Sequence, residues 1–157
     1  MVGSSLASLY HLFPATIHPM VVHFTIAIVY LAGFAGLIGV VWRGRDGFFP
    51  KLYLLMLFLA ILATIAAGAA GVISESYLKS IPHGVASTLE THKSYGELTG
   101  VSVVIAFVLQ SWRWWRKKPL WSVSLVSLLF AIVAVVFVSM AGHLGGMMVY
   151  HHGLGVS

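Results

Sequence analysis

Thr91-His92-Lys93-Ser94-Tyr95-Gly96-Glu97-Leu98-Thr99-Gly100, running on into Val101–Leu109, is the stretch on which the fold turns. It is polar and small at its start, then apolar and free of formal charge, as the outer end of a membrane helix should be. On a helix His92, Gly96 and Gly100 share one face, four residues apart. An imidazole beside a groove without side chains suits a flat cofactor, and it suits close helix packing equally.

The surrounding composition favours a membrane. Of 157 residues, 59% are hydrophobic and only 8% charged, where soluble chains carry roughly 25% charged residues. The absence of cysteine excludes disulfides, iron–sulfur ligands and a c-type haem attachment motif. Eight histidines are many for so apolar a chain. The formal charge of +5 could point to nucleic acid, but the positions of the charges argue for topology instead.

Outward from that stretch, the chain resolves into four apolar spans, at about 19–42, 51–73, 89–112 and 120–148, within a transmembrane domain over 19–148. Residues 1–18 form an N-terminal segment, and the absence of a basic residue before His18 predicts that it is not a cleavable signal. His18-Pro19 reads as a helix start with proline at the first helical position. Residues 149–157 form a tail. The second span ends in Ala66-Ala67-Gly68-Ala69-Ala70-Gly71, read as a helix-packing run.

Arg43, Arg45, Lys51, Arg113, Arg116, Lys117 and Lys118 flank the first and third connections, while only Lys79 and Lys93 lie on the other side. The positive-inside rule therefore places those two turns in the cytoplasm and both termini outside. The tryptophans at 112, 114, 115 and 121 fit an aromatic belt at the inner interface. The expected fold is an all-α membrane protein, a four-transmembrane-helix up-down bundle with both termini extracytoplasmic. Its partner is the bilayer, with no nucleic acid.

In that topology every histidine falls in the outer half or beyond. His23, His92 and His143 lie roughly 28–35 Å from the cytoplasmic ends of their helices, at ~1.5 Å per residue. One turn inward lie Ala27, Gly96 and Ser139, all small. Three imidazoles over three gaps predict a hollow in which histidines on facing helices supply axial nitrogens to a haem. His23 and His92 form the expected first pair, since first and third helices face diagonally. His143 and His18 complete a second site or tune the first. A zinc or copper site on His23, His92 and His143, with His18 nearby, is the competing reading. Glu97 and His152 are candidates to orient a ligand. His11, His83 and His151 read as loop or surface residues. His23 lies 20 residues before Arg43 and His92 lies 21 before Arg113, a faint sign of two similar hairpins.

The chain also resembles a family of bacterial membrane domains known chiefly as "predicted membrane protein", domain of unknown function twenty-two thirty-one. The resemblance rests on His18-Pro19-Met20-Val21-Val22-His23-Phe24, on His92 with Gly96, and above all on Gly142-His143-Leu144-Gly145-Gly146 and Val149-Tyr150-His151-His152-Gly153-Leu154-Gly155-Val156. The family often has proline where this chain has Thr25, and its tail pattern of tyrosine, any residue and His-Gly falls on His152. The resemblance implies a four-helix domain of the bacterial cytoplasmic membrane. Relatives joined to cytochrome c-type modules imply electron transfer.

The expected function is that of a b-type cytochrome-like electron-transfer protein. One or two bis-histidine haems near the outer face would relay electrons between an extracytoplasmic carrier of cytochrome c type and a quinone or partner subunit. The alternatives are a zinc- or copper-binding membrane protein and a non-catalytic subunit of a membrane complex. No nucleophile elbow, phosphate loop or paired-carboxylate signature marks a stand-alone enzyme.

Overall fold

The structure is a computed structural model that describes residues 12–42, 47–78, 83–116 and 122–153, without the side chains of His83 and His152. It contains four helices: α1 (Ile17–Val41), α2 (Phe48–Ser76), α3 (His83–Trp115) and α4 (Leu125–His152). No strand occurs among the described residues. α1, α2 and α4 are each long and apolar enough to cross a membrane.

The helix ends differ from the sequence expectation in ways that local chemistry explains. α1 begins at Ile17, so Pro19 occupies its third position. Amides of the first turn have no intrahelical acceptor, and a proline there removes no bond. α4 begins only at Leu125, where the Ser124 hydroxyl accepts from the Ser127 amide. It then runs through the expected tail to Gly153, whose φ of 64° ends it in the left-handed conformation. α3 starts six residues before the apolar span, taking in the polar Gly84–Thr88 turn.

α1 packs on α2 and α4, and α3 packs on the same two helices, so α1 and α3 face each other diagonally. Packing within the α1–α2 and α3–α4 hairpins is more extensive than across the seam between them. The interior is built from small residues, among them Ala32, Ala35, Ala60, Ala106 and Ala134, while Phe24, Phe34, Phe58 and Ile65 point outward. That pattern suits lipid, where burial of apolar surface does not drive association and close backbone approach does. At Gly36 an added Cβ would lie 2.8 Å from Leu128 and 3.0 Å from Tyr53.

One end of the bundle carries Arg113 and Arg116, the other carries His18 and His92. At the arginine end Gln110, 1% exposed, ties the approach to α4 onto α3. Its amide donates to the Ser122 carbonyl at 3.2 Å and its oxygen accepts from the Ser124 amide at 2.9 Å. Gln110→Leu removes both of these bonds from a buried position and is expected to cost about 1–3 kcal/mol. A denaturing-detergent titration that places the variant's midpoint on the parent's would contradict this.

Candidate functional site

Two imidazoles from diagonal helices meet at the histidine end. His18 stands in the first turn of α1 and His92 in α3, both half-buried. Their ring centroids are 5.8 Å apart and their planes stand at 84°. Each ring is held by the neighbouring helix of its own hairpin. His18 Nδ1 lies 3.0 Å from the Ala67 carbonyl of α2, and His92 Nδ1 lies 2.8 Å from the Ala141 carbonyl of α4. The His18 main-chain amide, without a partner in its own helix, donates to Ser74 Oγ at 3.2 Å.

A glycine one turn beyond each acceptor makes room for the ring. A Cβ at Gly71 would lie 3.3 Å from His18 Nδ1, and one at Gly145 would lie 3.4 Å from His92 Cε1. A carbonyl can only accept, so in the neutral rings Nδ1 carries the proton and Nε2 keeps its lone pair. Among the described residues the ring nitrogens make no other hydrogen bond. This is how a metal-ligating histidine is oriented: the far nitrogen is tied to a carbonyl and Nε2 is left to coordinate.

The other predicted site residues lie elsewhere. His23 is exposed, with Nδ1 turned back to the Pro19 carbonyl of its own helix. Five positions along a helix is about 140° around it, so when His18 faces inward His23 faces out. His143 is exposed beside a shallow surface hollow shared with Met147 and Tyr150, because Ala141 holds the inward face of α4. Gly96 and Glu97 are exposed, and nothing lies near a Cβ added at Gly96. The small residues expected beneath the histidines do not gather in one place. Ala27 faces outward, and Ser139 is engaged with Tyr30 Oη at 2.7 Å and the Val135 carbonyl at 2.6 Å. The side chain of His152 and all of His11 lie outside the described residues. His151 is exposed, as expected.

The structure thus brings His18, and not His23, beside His92. Among the described residues no group of three histidine, cysteine or carboxylate side chains gathers. Near the pair, Lys93 joins Glu75 of α2 at 2.9 Å and Glu90 at 3.4 Å, a part-exposed tie across the seam. The sequence reading missed the two glycine-backed carbonyls. Their signal was an equal interval of 49 residues from each histidine to its acceptor.

Four long helices, three of them able to cross a bilayer, define a multi-pass integral membrane protein. A family model described as "Predicted membrane protein (DUF2231)" matches residues 14–157, and the chain belongs to that family. Neither a curated protein nor a solved structure matches it.

Proposed function

We propose that this chain is a b-type cytochrome-like electron-transfer protein in which His18 and His92 would hold one haem between hairpins that part to admit it. The carrying observation is the adjacent pair of imidazoles, each tied through Nδ1 to a main-chain carbonyl. Two imidazoles bound to one metal through bonds of about 2 Å would have centroids up to roughly 6 Å apart. The observed 5.8 Å is close to that. Two protein donors leave a bare zinc ion short of its usual four ligands. Haem iron is already held by its porphyrin and would need only two donors from the protein, which His18 and His92 would be. The group would supply a one-electron couple within the membrane. His18 and His92 would hold and orient it, with the carbonyls of Ala67 and Ala141 raising the basicity of each ligating nitrogen.

In this reading α3 is the fourth span, and the arginine end lies in the cytoplasm of a bacterial inner membrane with both termini outside. A centre near the outer face cannot alone carry electrons across ~30 Å of hydrocarbon. Its partners are therefore an outer carrier of cytochrome c type and a quinone or neighbouring subunit. A second reading, a single copper ion between the same imidazoles, draws on the same ring separation, which needs no parting of the hairpins. An absorbance spectrum with elemental analysis of protein purified in mild detergent from haem-replete cells separates them. A Soret band and a reduced α-band are expected. One copper per chain without a Soret band would favour the second reading. Colourless, metal-free protein would overturn both and leave the histidines as ties between helices.

A further inference from the structure

The imidazole, its carbonyl acceptor and the glycine beside it each occur twice in the paired site, at one interval. Tyr53 and Ser127 lie 74 residues apart and bond to each other at 2.8 Å, both fully buried. The same interval of 74 carries His18 to His92, Ala67 to Ala141 and Gly71 to Gly145. It also carries Thr25 to Thr99, both buried, whose hydroxyls each bond the carbonyl four residues back, Val21 and Tyr95. Buried Ala32 and Ala60 map onto buried Ala106 and Ala134. α1 packs on α2 as α3 packs on α4, and α1 meets α4 as α2 meets α3. When two copies are related by a two-fold axis, a residue touches its own counterpart only beside that axis. His18 with His92 marks one point of it and Tyr53 with Ser127 marks another, nearer the arginine end.

We infer that the two hairpins are copies in a register of 74 residues, and that the imidazole pair is one seat on their pseudo-two-fold axis, taking a single transition-metal centre shared equally by His18 and His92. Gly71 and Gly145 are the equivalent positioning residues of that seat. The register replaces the alignment of His23 with His92 and assigns neither His23 nor His143 a ligand role. It maps His23 onto Glu97 and His143 back onto Ala69, so neither has an imidazole counterpart. The metallic nature of the occupant rests on the proposed function. The twinned seat rests on geometry alone. A methyl group at Gly71 presses its ring off the carbonyl by a few tenths of an ångström, and one at Gly145 meets its ring at the edge of ordinary contact. That weakens the Nδ1–H bond and makes Nε2 a poorer donor.

The test uses the full chain in lipid nanodiscs with ¹⁵N-labelled histidine, the resonances being assigned by their loss in His18→Gln and His92→Gln. Without added metal, both rings should show the Nδ1-protonated tautomer. Gly71→Ala should move His18 more than His92, and Gly145→Ala the reverse and by less. Opposite tautomers in the two rings, or rings that ignore both glycine variants, would overturn the twinned seat. Hemin and Cu(I) are then added in separate titrations. One equivalent that moves both rings together supports the shared centre. Two equivalents, or one that moves a single ring, would overturn it while leaving an electron relay intact. Uptake of one Cu(I) but no hemin would end the haem relay and leave the seat standing. Uptake of neither would overturn the shared centre and the relay together.

Discussion

His92→Ala and His18→Ala are each expected to empty the site, lowering haem per chain at least tenfold, while His23→Ala and His143→Ala leave it near the parent value. The contrast follows from where the rings point. His18 and His92 face each other across the bundle at 5.8 Å, whereas His23 and His143 are exposed. A tenfold loss corresponds to about 1.4 kcal/mol of binding, which a lost axial ligand should exceed. The fold should survive the change. Each ring contributes one hydrogen bond to a main-chain carbonyl, and a bond of that kind is worth about 0.5–1.5 kcal/mol. Elution as the parent's single species, together with the Soret absorbance per chain, reads both quantities. Haem retained in His18→Ala but lost in His23→Ala would restore the pairing that the sequence alone favours.

Tyr53→Ala should be among the most damaging single changes to the fold, costing about 3–5 kcal/mol, as expected for truncating a fully buried aromatic ring. Tyr53 has no exposed surface and packs where α1, α2 and α4 converge, against Gly36 and Ser127. Tyr53→Phe removes only the hydroxyl. Ser127 then keeps its bond to the Ala106 carbonyl at 2.6 Å, so the cost should be about 1 kcal/mol. Unfolding in a denaturing-detergent titration separates the two variants. Equal midpoints would mean that the hydroxyl pair, not ring packing, carries the contribution.

The four helices were legible because each apolar run is long and each turn near the arginines is marked by charge, a signal that depends on composition and not on phase. The site was legible only in part. His18 and His92 both stood among the candidates at the right end of the bundle, yet the pairing required knowing which side of α1 faces inward. A helix apolar all round has no polar stripe to set that phase, so His18 and His23 could not be told apart. Gly96 lies one turn from His92 and invited a cavity there. In the structure Gly96 is exposed, and the glycine beneath His92 is Gly145, on the neighbouring helix. Ala66–Gly71 read as packing, and it is packing, but against an imidazole as well as a helix.

The most direct measurement of the central claim is electron paramagnetic resonance of the oxidised, haem-loaded chain. Rings held at 84° on carbonyls of separate helices predict the strongly anisotropic low-spin signal of two perpendicular imidazole ligands. A high-spin signal, or a low-spin signal of parallel rings or of a single histidine with another ligand, would contradict it.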